Sequence, residues 1–285
     1  MFASYVSNRG HALIDWRLYL PKDWAADRNR RARAHVPDDV TFATKPSIAV
    51  AMVHRAIEAG IPFAWVAADT VYGVGEMEMA LRRAGRGNVY GVTGAAQFNS
   101  WDRWPAVAGT ADAIADGLAP ASWHRLSAGN GTKRPRLFDW AYLELADLDP
   151  QEMGGPPGLG AWTRGLLIRQ RIGDGERAFF TTWCQTGTPI ETLVRVEGHR
   201  WAIEDAFETA KTELGLDHNE TRSWHGWHRH PRIRGGRLLV MLAFALLAIV
   251  RHKADAYTAP QKARSGVRCR WSGGRCRRSV ALPAA

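Results

Sequence analysis

The stretch from Pro46 to Val92 constrains the fold more than any other, because its texture alternates between helix and strand. Pro46 suits a first helical position, where its missing N–H costs nothing. From there Ile48, Met52, Val53, Ala56 and Ile57 recur at helical spacing up to Gly60, which predicts a helix through Ala59 with that stripe buried. Phe63 to Ala68 is short and apolar and reads as a strand that delivers Asp69 at its carboxyl end. A turn over Thr70 to Gly75 leads to a helix over Glu76 to Ala84, and Val89 to Val92 forms another strand. Upstream, Phe2 to Val6 and Ala12 to Leu20 flank Asn8-Arg-Gly10 as the arms of a hairpin. Strands and helices in this order fit a mixed sheet with helices packed on it, an α/β protein.

Beyond Ala95 the texture changes to prolines, glycines and short strands up to about Ile190. Leu166 to Arg171 and Ala178 to Trp183 flank Gly173-Asp-Gly175, a hairpin signal. Residues 95–190 are therefore expected as a β-rich insertion between a first segment, 1–94, and a second, 191–250. The second begins with a long helix over Glu191 to Leu214, continues through a His- and Trp-rich turn, and closes with a buried helix over Leu238 to Val250. That last apolar run has 13 residues, below the roughly 20 needed to span a bilayer. No membrane partner is expected.

The formal net charge of +10 suggests a polyanionic partner, yet most of it resides at one end. From Arg251 onward nine Lys/Arg face the single Asp255. This tail, 251–285, is expected to be disordered, and Ser265 to Ala285 shows no helical or strand period and reads like translation out of frame. Its charge is not a designed footprint. Cys184, Cys269 and Cys276 have neither paired nor knuckle spacing, so a reducing cytosol is the default, with Cys184 an inert buried thiol. The Met1-Phe-Ala-Ser-Tyr-Val start lacks the basic and long apolar regions of a signal peptide.

Chemistry concentrates in Gly198-His-Arg-Trp-Ala-Ile-Glu-Asp-Ala-Phe-Glu-Thr-Ala-Lys211. At about 100° per residue, Arg200, Glu204 and Lys211 share one helix face, while Trp201, Phe207, Ala210 and Leu214 are available to pack it onto the sheet. A carboxylate between two cations stays ionised and can hold a divalent metal. The plainer alternative is a surface stripe worth a few tenths of a kcal/mol to the helix. Asp69 stands where an open sheet presents ligand-binding groups; otherwise it is a turn cap.

The Arg-x3-Glu-x6-Lys spacing, with Trp201 and Ile203 between, resembles the YREK signature of DDE insertion-sequence transposases. Leu18-Tyr-Leu-Pro-Lys22, Pro62-Phe-Ala-Trp-Val-Ala-Ala-Asp-Thr-Val-Tyr-Gly73 and His225-Gly-Trp-His-Arg-His230 resemble the same group. The likeness covers about Phe2 to His230 and resumes at Leu238; Pro231 to Arg237 looks inserted or shifted. The family's tyrosine falls at position 197, occupied here by Glu197.

The resemblance implies a ribonuclease H-like mixed sheet with flanking helices, carrying a β-rich insertion subdomain. It implies metal-dependent cleavage of DNA ends and strand transfer. Asp69 and Glu204 are then catalytic ligands of Mg²⁺ or Mn²⁺, and Arg200 and Lys211 position phosphates. Arg222 and Arg229 are further candidates for phosphate contact. Double-stranded DNA, as transposon ends and target, is the implied partner, with a possible homodimer on DNA in a cytoplasmic, nucleoid-associated setting. Two-metal phosphodiester transfer calls for several hard carboxylate ligands converging from separate elements. In the resembled fold the first aspartate lies on a strand before the Phe2–Leu20 hairpin, so this chain is expected to lack that ligand and a central strand. Asp15 is the nearest acid but has no family match. The expected product is an inactive transposase fragment or, alternatively, a catalytically dead DNA-binding, interfering remnant.

Two other patterns carry less. His218, His225, His228 and His230 have no cysteine nearby and interleave with Trp224 and Trp227, which favours packing over zinc. Gly73-Val-Gly75 lacks the third glycine of a dinucleotide loop.

Overall fold

The computed structural model describes residues 1–7, 9–73, 75–100, 106–131, 134–148, 158, 160–213, 221–233, 241–242, 245–250 and 253. The chain opens with the expected hairpin, β1 (Phe2–Ser7) and β2 (Gly10–Trp16), antiparallel from Ser7↔Gly10 to Phe2↔Trp16. Two short helices follow, α1 (Lys22–Ala26) and α2 (Arg28–Arg33), the second capped by Asp27, whose side chain accepts from the Arg30 N–H. Helix α3 (Lys45–Glu58) begins where Pro46 predicts. Its cap is Thr44, which accepts the Ser47 N–H at 3.2 Å and satisfies a donor that the helix leaves open. Strand β3 (Trp65–Ala68), helix α4 (Gly75–Arg83) and strand β4 (Gly87–Val92) complete the alternating stretch.

Short strands β5 (Gln97–Asn99) and β6 (Ala108–Thr110) pair with each other ahead of helix α5 (Ala111–Asp116). Four longer strands follow: β7 (His124–Asn130), β8 (Pro135–Leu148), β9 (Trp162–Gln170) and β10 (Arg177–Gln185). The expected hairpin across Gly173-Asp-Gly175 is the β9–β10 pair, with Arg177 opposite Gln170. Helices α6 (Ile190–His199), α7 (Trp201–Thr212) and α8 (Trp224–Ile233) come last.

Six strands form one mixed sheet in the order β3-β4-β10-β9-β8-β7, with β3 and β4 parallel and the rest antiparallel. Strands β7 to β10 of residues 95–190 thus continue, edge to edge, the sheet begun by β3 and β4, while β5 and β6 pair only with each other. Alternation along the strands separates two faces. Trp65, Ala67, Val89, Leu167 and Phe180 face α6 through Leu193 and Val194. On the other face Val66, Ala68 and Tyr90 meet Val50 of α3 and Met77 and Leu81 of α4. Farther along that face Leu166, Ile168 and Phe179 pack with Ala111 and Ala115 of α5. Each fully buried aliphatic side chain contributes about 1.5–3 kcal/mol of transfer free energy, so these two layers anchor β3 and α6.

Five expectations change. The long helix over 191–214 is divided: α6 ends at His199, and Arg200, still right-handed helical at φ −57°, makes a tight turn before α7. The Arg200 N–H donates to the Glu197 carbonyl, a three-residue closure. Gly198 lets the end of α6 lie close on the sheet, because a Cβ there would be 2.2 Å from the Ala128 carbonyl oxygen of β7. Second, α7 packs on the hairpin, not on the large sheet: Ala206 is buried with Leu13, and Phe207 meets Phe2 edge-on at 5.1 Å. Trp201, expected to help pack the helix, is half exposed, and Leu214 lies outside the described residues.

Third, the His- and Trp-rich segment is helix α8, not a turn. Trp224 and His228 stack one turn apart, and Trp16 and His35 receive Trp227 and His225. These ring contacts outweigh the modest helix propensity of His and Trp. Fourth, the apolar run near the C-terminus is helical over 241–242 and 245–250 but is not buried: Met241 is covered, whereas Leu242, Leu246, Ile249 and Val250 are exposed. In α3 the fully buried residues are Val50 and Met52, and the expected Ile48, Val53, Ala56 and Ile57 are only partly covered. Val53 and Ala56 border a cleft.

Candidate functional site

The cleft, about 720 Å³, lies between the hairpin and the β3 edge of the large sheet. All of β1 and β3 line it, with Met52, Val53 and Ala56 of α3 on one side and the α6–α7 corner on the other. Asp69 sits where β3 ends. Its Oδ1 accepts the Thr70 N–H at 2.8 Å and caps the 3₁₀ turn Thr70–Tyr72, so the cap and the cleft position coexist in one residue. Both recorded hydrogen bonds use Oδ1, leaving Oδ2 open among the described residues. Glu204, in the first turn of α7, lines the same cleft with its side chain 48% exposed. Arg200 lines it too, its guanidinium 3.9 Å from the Glu204 carboxylate, an ion pair too long for a good hydrogen bond.

The fold thus brings Asp69, Glu204 and Arg200 to one cavity. Lys211 is exposed in the last turn of α7 and Arg222 is exposed before α8; neither lines the cleft. The side chain of Arg229 lies outside the described residues. Asp15 is engaged elsewhere, clamped by Arg55 of α3 at 2.6 Å, which ties the hairpin to that helix.

Other cleft residues escaped sequence reasoning. Thr192, Arg195, Val196 and His199 of α6 and Ile203 of α7 all line the cleft and follow a three- and four-residue rhythm, so the signal was present in the run that leads to Glu204. Burial lowers the pKa of His199, and Arg195 and Arg136 push it the same way, so its neutral imidazole is favoured. Burial, with help from Asp69, holds the Tyr72 hydroxyl protonated.

Behind the corner lies a smaller pocket of about 280 Å³ lined by Arg136, Arg169 and Arg200 around Glu197. Glu197, where the resembled signature has tyrosine, is a buried carboxylate: Arg169 reaches it at 3.0 Å and Arg200 at 3.8 Å. It therefore braces the guanidinium that faces Glu204. Arg136 donates to the Gly198 carbonyl at 3.0 Å, fixing the corner from the sheet side.

A divalent cation is tested by the donors present. Both candidate carboxylates offer hard, partly exposed oxygens, which suits Mg²⁺ held by one or two carboxylates with the remaining positions left to water or phosphate. No group of three or more His, Cys, Asp or Glu is gathered for a metal among the described residues. The donor set fits a partial site, not a closed protein cage.

A sheet layered by helices thus carries two carboxylates and an arginine around a cleft at a strand's carboxyl end. Residues 1–111 match the model of a family described as DDE superfamily endonuclease. That span holds β1 through β6 and Asp69 but stops well before Glu204. No curated protein matches the sequence. No described helix is long and apolar enough to cross a membrane.

Proposed function

We propose that this chain carries a DDE-type transposase core, of the YREK kind and ribonuclease H-like in plan, acting on double-stranded DNA. Residues 1–94 and 191–250 make up that core, and 95–190 are an elaboration joined to it. The observation that carries the reading is that Asp69 and Glu204, distant in sequence, line one cleft. Asp69 and Glu204 would hold Mg²⁺ or Mn²⁺, which when bound polarises phosphodiester oxygens. Arg200, braced by Glu197, offers a phosphate a planar pair of donors beside them. Lys211 and Arg222 add exposed positive charge toward DNA outside the cleft, and the Arg-x3-Glu-x6-Lys signature supports counting Lys211 with them.

The presence of two candidate ligands, with no third acid gathered among the described residues, favours a second reading: a DNA-binding remnant that does not cut. Mn²⁺ binding followed by electron paramagnetic resonance tests the site itself. Asp69→Ala and Glu204→Ala should each weaken binding at least tenfold; unchanged binding in both variants removes the proposed site. Nicking of plasmid DNA with Mg²⁺ or Mn²⁺, abolished in both variants, supports the enzyme. Duplex binding that weakens in Arg200→Ala and Lys211→Ala, without nicking, supports the remnant.

A further inference from the structure

The seam between α2 and α8 holds a side-chain pair that neither helix requires. At the end of α2 the His35 N–H donates to the Ala32 carbonyl and the Val36 N–H to the Arg31 carbonyl, both at 3.0 Å. This closure places residue 35 in the left-handed backbone region, which glycine enters at no steric cost. The residue there is His35, at φ 54°, the one non-glycine residue with positive φ among the described residues. Glycine would close the helix equally well, so the case for histidine lies in its ring.

That ring faces His225 in the first turn of α8. The Trp224 N–H donates to the Ala34 carbonyl at 2.7 Å, which brings the start of α8 against the end of α2. The two imidazole centres lie 6.0 Å apart, with their planes 29° from parallel. Both residues are exposed, and neither ring makes a hydrogen bond among the described residues. His228, one turn on, differs. Its Nδ1 donates to the Trp224 carbonyl at 2.8 Å, and its ring packs against Trp224 and Trp16. His228 therefore serves packing, whereas His35 and His225 leave their ring nitrogens without a partner.

We infer that His35 and His225 together chelate a divalent transition metal of the Zn²⁺ class, with water in its remaining positions. An ion about 2.0–2.1 Å from one nitrogen of each ring sets the ring centres roughly 5–6 Å apart, and exposed side chains reach that arrangement by small rotations. The pair also sets the class of ion. Mg²⁺ and Ca²⁺ seek several hard oxygens, and no carboxylate pairs with either ring among the described residues. The sequence neighbours Arg33 and Arg222 are cationic, which weighs against ions held by charge alone and favours those held by imidazole lone pairs. Two protein ligands make an exchangeable site, unlike a closed structural zinc centre. A bound ion ties the end of α2 to α8, so the docking of α8 tightens with metal. Neither histidine lines the large cleft, and the inference is independent of any metal held by Asp69 and Glu204.

The test uses the full chain without a histidine tag, stripped of metal and titrated with Zn²⁺ by calorimetry. His35→Gly suits the left-handed backbone, and His225→Gln replaces an exposed helical residue. Each should weaken the tightest binding at least tenfold while circular dichroism stays native. The double variant should bind no more weakly than either single one, because one change already breaks the chelate. Glu204→Ala should bind Zn²⁺ as the unchanged chain does. Zn²⁺ should raise the thermal midpoint of the unchanged chain and of Glu204→Ala, but not that of either histidine variant. If one histidine variant fails to fold, the other decides. Unchanged affinity in a folded histidine variant, additive losses in the double variant, a loss in Glu204→Ala, or no saturable binding overturns the inference.

Discussion

Replacing Glu197 by alanine would leave Arg169 and Arg200 facing each other across an emptied, water-poor site. The Glu197 side chain is 3% exposed, whereas Arg169 and Arg200 are 25% and 27% exposed. Removing one member of a fully buried ion pair costs about 3–5 kcal/mol, because the survivor keeps its desolvation penalty. Here both survivors can rehydrate in part, and Arg200 sits beyond hydrogen-bond distance, so the loss should be about 2–3 kcal/mol. Glu197→Gln keeps the volume and an acceptor for Arg169 while removing the charge, and should cost less, about 1–2 kcal/mol. Urea unfolding followed by circular dichroism measures both. A double-mutant cycle with Arg169→Ala should return a coupling of about 1 kcal/mol or more, as expected of contacting charged groups. If Glu197→Ala costs under about 0.5 kcal/mol, the range of an ordinary surface change, or if the cycle is additive, the pairing of a buried Glu197 carboxylate with Arg169 is wrong.

Two further outcomes probe the corner that carries Glu204. Gly198→Ala would raise helix propensity by about 0.5–1 kcal/mol, yet its Cβ would meet the Ala128 carbonyl at 2.2 Å, so it should destabilise by about 1–3 kcal/mol in the same urea assay; a gain in stability would show that α6 does not press on β7. His199 has its pKa lowered in the folded chain, by burial first and then by Arg195 and Arg136. The unfolded chain therefore takes up the proton first. Stability should be fully present above the ordinary histidine value of 6.5 and fall as pH drops below it, levelling off only once the folded imidazole protonates. Part of that slope should vanish in His199→Gln, and identical slopes in the two proteins would contradict the assignment.

Local chemistry was sufficient for much of the chain. Pro46 and Gly60 punctuate α3, Asn8-Arg-Gly10 and Gly173-Asp-Gly175 mark the two hairpins, and the apolar run to Ala68 marks β3 with Asp69 at its end. These signals act over a few residues, so the sequence states them directly. That Glu204 and Lys211 stand on one helix was legible in the same way, because it follows from local pattern alone.

What sequence could not decide were relations between distant segments. Whether the strands of residues 95–190 stand apart or extend the sheet of β3 and β4 depends on the pairing of Thr181 with Tyr90 across the chain. The need for glycine at 198 comes from its close passage over Ala128, a contact invisible in either segment alone. Glu197 reads in sequence as a departure from a motif, and only packing turns it into a carboxylate buried between two arginines. The exposure of Leu246 and Ile249 makes the same point in reverse: apolar composition records a capacity for burial, while the neighbours supplied by the tertiary fold determine whether burial happens.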